Sequence, residues 1–385
     1  MAIDYTSVPL TEKLRKVARY SRLYGVSRTL QKVRGQAHMR LVGDPLPARW
    51  ANPRVSRRGS HDVAIIGCGN FAYSTIAHYC AQAARGFLAG CYDVVGARAV
   101  SLCTRYNGRF AAADPDELIY DSAVRLVFIA SNHASHAEFA IRALNAGKSV
   151  HIEKPHVVTP SQLDRLVAAM TRPGAGKVFL GFNRPRSPHF RMVQQWIDAE
   201  RGPLMINWFV AGHEIPEGHW YFSEEEGGRI LGNLCHWTDL TLRMVAGNSD
   251  TPIRVIPGTY HTSKSDFVLT FDFPDGSVAA ITFSAKGHTF EGVREYLNVH
   301  RGNALISMRD FEISTLDLGP HRQVFRTRFR EHGHAANVFN SVRSGEAASL
   351  ETVVNSARLF LAAREAAETK QVVEVLPFAS AGSVT

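Results

Sequence analysis

The apolar positions change period along the chain. Between residues 11 and 35, Leu14, Val17, Leu23, Leu30 and Val33 recur at helical spacing among Arg15, Lys16, Arg19, Arg22, Arg28, Lys32 and Arg34. With Thr11 as a candidate cap and Gly25 as an interruption, this predicts one broken helix or two short ones. Residues 43–60 hold Pro45, Pro47, Pro53, Gly59 and Ser60 and read as a linker.

From His61 short apolar runs alternate with amphipathic segments. Val63–Ile66, Leu88–Tyr92, Leu126–Ala130, Val150–Ile152 and Val178–Gly181 predict buried strands; Phe71–Ala84, Ala97–Tyr106 and Ser135–Ala146 predict helices. Asp114-Pro115-Asp116-Glu117 and Thr159-Pro160-Ser161-Gln162 have the cap, proline and N3 side chain of a helix start. Strands separated by such helices make a doubly wound parallel sheet. After Gly202 the period becomes two. Phe267–Phe273 and Ser277–Phe283 flank Pro274-Asp275-Gly276, and Tyr296–His300 and Ala304–Ser307 flank Arg301-Gly302-Asn303, as hairpins do. Helices near Ala335–Arg343 and Leu350–Glu368 are expected to close onto that second domain.

The expected class is therefore α/β: an N-terminal Rossmann sheet followed by an α+β domain with a large, mostly antiparallel sheet. The boundaries read as 1–60 for a basic helical extension and linker, 61–185 for the Rossmann domain, and 186–385 for substrate binding and oligomerisation.

Charge changes the picture only at the start. Residues 1–60 hold 13 Lys and Arg against 3 Asp and Glu; the remaining 325 hold 31 against 32. The net charge of +9 thus belongs to the extension, and the body has no nucleic-acid-binding character. A basic amphipathic segment suits an anionic membrane surface or an acidic partner, and its composition also matches organelle transit peptides. The alternative is a helical arm packed on its own chain or a sister subunit. Five cysteines without a CxxC pair, no secretion signal and no apolar run of spanning length point to a reducing, cytoplasmic location.

Gly67-Cys68-Gly69-Asn70-Phe71-Ala72 follows an apolar strand and opens a helix, the context a GxGxxA dinucleotide turn requires. Gly67 permits the turn, Gly69 lets the backbone approach a pyrophosphate, and the helix start offers N–H groups to it. Asp93, just after the second strand, is placed to accept from the adenosine ribose. Its charge favours NAD over NADP, while Arg98 and Arg105 nearby keep NADP open.

Further along, Ala130-Ser131-Asn132-His133-Ala134-Ser135-His136, Glu153-Lys154-Pro155, Gly181-Phe182-Asn183-Arg184 and the run Gly227 to Leu240 with Cys235-His236-Trp237-Thr238-Asp239 follow in order. Together they resemble the Gfo/Idh/MocA family of nicotinamide-dependent sugar and cyclitol oxidoreductases, over about 61–370. The resemblance implies cofactor contacts from Ser131, Asn132, His133, His136, Glu153, Lys154 and Asn183, and a cis bond before Pro155. It also places Arg184, His236 and Asp239 toward a sugar or sugar-nucleotide substrate; Arg229 and Asn233, on the same segment, face that substrate or the helix cap, and the rings of His213 and Trp220 suit a sugar's hydroxyls and C–H surface. The wording of the last segment, with Ala211-Gly212-His213 and His219-Trp220, resembles a branch linked to surface-polysaccharide chemistry. Asn233 stands where that branch commonly has an acid, and Arg184-Pro185-Arg186 where it often has Arg-Arg-Phe.

Oxidising a secondary alcohol needs a hydride acceptor and a group that takes the hydroxyl proton. Lys154 ends a strand at the carboxyl edge of the sheet, and burial beside a cationic nicotinamide would lower its pKa toward neutrality. His236 titrates near neutrality unaided and is the preferred proton acceptor, with Asp239 three residues on to orient it. No metal site is expected, because neither HExxH nor CxxC occurs. Two other readings keep the cofactor: an NAD-dependent glycosidase that oxidises its sugar transiently, and a non-catalytic dinucleotide-binding regulator. An open antiparallel sheet suits back-to-back association, so a homodimer or homotetramer is expected.

Overall fold

The computed structural model describes residues 9–55, 58–216, 218–245, 251–259, 263–285 and 292–378. They fall into two compact units: Ser27–Phe182 with His334–Val353, and Asn183–Gly333 with the helix before Ser27 and the chain from Val354.

The extension forms α1 (Leu10–Tyr24) and α2 (Val26–His38), separated by Gly25 at φ 83°. Thr11 is not a cap. The helix begins one residue earlier, behind Pro9, whose fixed φ presets the first turn. α2 is packed with its polar side inward: Thr29, Gln31, Gly35 and His38 are buried, while Val26, Leu30 and Val33 are exposed. Nor is the following stretch wholly a linker. β1 (Trp50–Ala51) pairs antiparallel with β4 (Phe110–Ala111), and Asn52 donates its side-chain amide to the Gly108 carbonyl. Residues 56 and 57 lie outside the described residues.

The parallel unit contains β2 (Val63–Ile66), α3 (Ala77–Ala83), β3 (Leu88–Tyr92), α4 (Gly96–Arg105), β4, α5 (Asp116–Ile119), β5 (Leu126–Ile129), α6 (His133–Asn145), β6 (Ser149–Ile152), α7 (Pro160–Met170) and β7 (Val178–Leu180). The capping residues act as their types predict. Thr159 Oγ1 accepts the Gln162 N–H, and Glu117 Oε1 accepts the N–H groups of Ala113 and Asp114. The strands run in the order β1-β4-β3-β2-β5-β6-β7, all parallel except β1. The order reverses direction at β2, so a crevice opens at the carboxyl ends of β2 and β5, where doubly wound sheets bind ligands. Val63, Ile65, Leu126 and Phe128 fill the sheet's core without exposure. Each such side chain contributes roughly 1.5–3 kcal/mol by leaving water.

The other unit holds α8 (Pro188–Asp198), β8 (Met205–Ala211), α9 (Cys235–Met244) and β9 (Ile253–Pro257). These are followed by β10 (Phe267–Asp272), β11 (Val278–Ser284), β12 (Arg294–Arg301), β13 (Ala304–Arg309), β14 (Ile313–Leu318) and β15 (His321–Arg326). The nine-stranded order is β15-β14-β13-β12-β8-β11-β10-β9-β16, with β16 (Val373–Val375) at one edge. Every pairing is antiparallel except β8 with β11. Both expected hairpins form.

α10 (His334–Val342) corrects one expectation. It packs on the parallel unit, with Phe339 edge-on to Tyr79 and Ser341 Oγ bonded to His151 Nδ1 at 2.8 Å. An amphipathic stripe states that a helix will be buried without naming the core that buries it. α11 (Leu350–Thr369) is grouped with the antiparallel unit from Val354 onward.

Candidate active site

In the parallel unit the polar groups gather at the carboxyl ends of β2, β3, β5 and β6. Gly67 has φ 87°, and a Cβ there would lie 2.5 Å from the backbone of Ala130 and Ser131. Only glycine therefore lets the loops after β2 and β5 come this close. At Gly69 a Cβ would meet nothing within 4 Å. That open space, in front of backbone N–H groups at a helix start, fits a pyrophosphate. The helix from Asn70 first makes a wide π turn over Ala72–Ile76 before continuing as α3. Ala72 is buried where the third glycine of such turns usually packs, and Phe71 is partly exposed.

Asp93 is buried, and its carboxylate braces this turn: Oδ2 accepts the Cys68 N–H at 2.6 Å and Oδ1 the Val95 N–H at 2.8 Å. Each oxygen keeps a lone pair for a further donor. Asn132 stands at the N-cap position of α6 in an extended conformation, and Ser135 Oγ donates to its Oδ1 at 2.6 Å. His136, expected against the cofactor, is instead enclosed. Its Nδ1 lies 2.8 Å from the Pro155 carbonyl and its Nε2 3.2 Å from that of Ser131, and burial lowers its pKa. It ties two loops of the crevice together from behind. His133 is buried beside it. Glu153 is buried under Gly181, with His151 Nε2 3.4 Å from one oxygen. Lys154 is half-buried at the end of β6, and its bond to Pro155 is cis.

In the antiparallel unit the segment before α9 makes a second π turn, Ile230–Leu234. It carries Arg229, Asn233 and His236 with unequal satisfaction. Arg229 is 3% exposed; its Nη2 donates to the His213 carbonyl at 2.7 Å and its guanidinium lies over Phe283. Burial lowers its pKa. Its Nε, and the Oδ1 of Asn233, are buried without a hydrogen-bond partner among the described residues. Such atoms normally find one, so a ligand with hydroxyl groups is the natural complement. His236 is buried next to Trp237. Trp220 remains 46% exposed, its ring against those of His219 and Tyr221.

Three expected contacts are corrected. Asp239 does not reserve its carboxylate for His236; both oxygens accept from Arg243, one turn on, at 2.8 and 3.2 Å. Arg184 is not offered to substrate. It is buried, and its Nε donates to Glu295 Oε1 at 2.6 Å. Asn183 uses its amide on the His332 carbonyl at 2.6 Å. Glu295, which no motif marked, is the centre of this cluster. It also receives the Trp237 indole N–H and faces His332 Nε2 at 3.1 Å. Burial would raise its pKa, but Arg184 and His332 hold it down to about 2. Among the described residues no group of three or more His, Cys, Asp or Glu could hold a metal, and no helix is long and apolar enough to cross a membrane.

Residues 61–182 match a family model, GFO_IDH_MocA, described as an oxidoreductase family with an NAD-binding Rossmann fold. Inositol 2-dehydrogenase 2 of Saccharopolyspora erythraea is 31% identical over 215 residues, covering 56% of this chain and 60% of the relative. An inositol 2-dehydrogenase of Salmonella typhimurium is 30% identical, covering 34% of this chain and 49% of that protein. The chain thus spans between about half and three fifths of the length of these curated relatives. Among solved structures, GenD2 from gentamicin A biosynthesis, in complex with NAD, superimposes with a TM-score of 0.68 at 20% identity, covering 84% of this chain and 99% of that one. Levoglucosan dehydrogenase, in complex with NADH and levoglucosan, gives 0.67 at 16% identity, covering 82% and 99%. Both likenesses are of fold.

Proposed function

We propose that this protein is an NAD-dependent dehydrogenase acting on a secondary hydroxyl of a sugar or cyclitol, a reading supported by the match of residues 61–182 to the GFO_IDH_MocA family model and by the similarity to inositol 2-dehydrogenases. The observation that carries the substrate class is the pair of unpartnered buried atoms, Arg229 Nε and Asn233 Oδ1, on the segment that also bears His236. One is a donor and the other an acceptor, which together suit a hydroxylated ring better than an apolar one. The named relatives are inositol dehydrogenases, and one structural neighbour holds levoglucosan, which agrees in class.

When bound, NAD supplies the hydride acceptor. The chain's own work is to hold and discharge a proton. Half-buried Lys154, at the carboxyl end of β6, and the His236 imidazole are the two candidates for orienting a substrate hydroxyl and for taking its proton. Arg229 and Asn233 fix the ring by its other hydroxyls, and Trp220 offers an exposed aromatic face to its C–H surface.

The test is NADH formation over a panel of cyclitols, sugars and sugar nucleotides. Lys154→Ala and His236→Ala should each lower kcat by about a hundredfold or more while NAD affinity changes little. Turnover at the parent's rate in both variants overturns the mechanism. Release of an aglycone without net NADH would replace it with the redox-neutral glycosidase.

A peripheral contact is a separate reading of the extension. Leu10, Leu14 and Val17 on α1 and Val26, Leu30 and Val33 on α2 form exposed apolar stripes at i, i+4 and i+7. Lys13, Arg15, Lys16, Arg19, Arg22, Arg28, Lys32 and Arg34 stand among them against Glu12 alone. That combination suits an anionic lipid surface. Co-sedimentation with phosphatidylglycerol vesicles should fall with added salt, and absence of binding at low salt rejects it.

A further inference from the structure

The stretch from Gly35 to Leu46 lies along the part of the parallel unit where an adenosine ribose would sit. Gly35 meets the glycine turn so closely that a Cβ there would run into Asn70 Oδ1. His38 is 4% exposed; its ring stacks on Tyr73 at 4.0 Å, its Nε2 lies 2.7 Å from the Cys68 carbonyl and its Nδ1 3.0 Å from Ser101 Oγ. Past His38 the chain turns its carbonyls toward the start of α4. Leu41 O accepts from Arg98 Nε at 3.0 Å, Met39 O lies 3.5 Å from Arg98 Nη2, and Asp44 O accepts the Gly96 N–H at 3.0 Å.

The Gly96 N–H and the Arg98 guanidinium follow Asp93 by three and five residues, at the N-terminal turn of α4. A helix start and an arginine are what a 2′-phosphate on the ribose would need. We propose that the Gly35–Leu46 stretch sets the choice of dinucleotide, by engaging the Gly96 N–H and Arg98 and leaving the Asp93 carboxylate as the group that meets the ribose. The 2′-hydroxyl of NAD can donate to that carboxylate; the phosphate of NADP is repelled by it and finds its natural partners taken. His38 is the anchor that keeps the stretch in place. The proposal rests on the cofactor reading of the glycine turn.

Titration calorimetry with NAD⁺ and NADP⁺ on the full chain tests it. The parent should bind NADP⁺ about a hundredfold more weakly than NAD⁺. His38→Ala should narrow that gap about tenfold through tighter NADP⁺ binding, as Arg98 becomes available. Adding Arg98→Ala to His38→Ala should restore the gap. Gly35→Ala, whose Cβ would crowd the Asn70 side chain and Ser74 Cβ without touching Arg98, should narrow it too where it loosens α2, and serves where His38→Ala does not fold. Hydrogen exchange at residues 35–46 reports whether the stretch has opened. A stretch that opens without tighter NADP⁺ binding overturns the proposal, as does a parent that binds the two dinucleotides equally. A parent that binds neither overturns the cofactor site itself and this proposal with it.

Discussion

Arg184 and Arg229 lie in the same unit, are both buried, and both belong to segments that resemble substrate-binding motifs, yet their surroundings differ in kind. Arg184 faces Glu295, whose second oxygen faces His332 and whose first also receives the Trp237 N–H. The charge is matched within the fold. Among the described residues Arg229 has a carbonyl and an aromatic face but no carboxylate bonded to it, and its Nε goes unmet. Burying a charge costs several kcal/mol unless pairing offsets it. A chain that bears this cost at Arg229 and offsets it at Arg184 separates a group waiting for a ligand from a group holding the fold. Burial alone would have treated them alike.

The contrast can be broken most sharply at Glu295. Glu295→Ala leaves Arg184 buried and unpaired and should destabilise the protein by about 3–5 kcal/mol, read from urea unfolding. A small loss would mean that the cluster is not a structural centre. Next in size is the pair of glycines in the turn. Gly67→Ala forces a Cβ into the Ala130–Ser131 backbone at positive φ and should cost about 2–4 kcal/mol of stability. Gly69→Val enters open space and should leave stability nearly unchanged, but weaken NAD binding about a hundredfold in calorimetry. Arg229→Ala should raise KM about tenfold while changing the melting temperature little, since it also removes a desolvated charge. A large fall in melting temperature would place Arg229 with Arg184 after all.

A further test is in acid. His189 is held neutral between Ser314 Oγ and Thr327 Oγ1, and burial lowers its pKa from 6.5 to about 4. Its folded pKa lies below the unfolded one, so its contribution is present above pH 6.5 and is lost as the pH falls toward 4. Glu295 adds a later loss, from 4.5 down to about 2. Stability measured in steps downward from neutrality should therefore decline in two stages, and Glu295→Gln should blunt only the second.

The parallel sheet was legible because its signals are local. Apolar runs, the prolines at helix starts and the caps of Glu117 and Thr159 each act within a few residues. The glycine turn was legible for the same reason, since strand, turn and helix are contiguous. What escaped was decided between distant parts of the chain. Nothing near Arg184 announces Glu295, 111 residues on. Nothing in the stripe of α10 says which core takes it. Spacing alone pairs Asp239 with His236, whereas Arg243 at i+4 holds its charge more directly. The apolar stripe of α2 does not say which side of the helix packs: Leu30 and Val33 stay exposed, because Gly35 and His38 fit the glycine turn where larger or less polar side chains would not.

β1 is only two residues long, but it occupies the flank of the sheet that would otherwise end at β4. An uncovered strand offers a row of N–H and C=O groups to any other strand in solution, and proteins commonly blunt such rims with a short piece of chain. Trimming this protein to its recognisable Rossmann portion, starting at His61, would strip that cover and also uncover Gly96, against which Leu46 is packed. The shortened product would be prone to stack rim to rim into insoluble material.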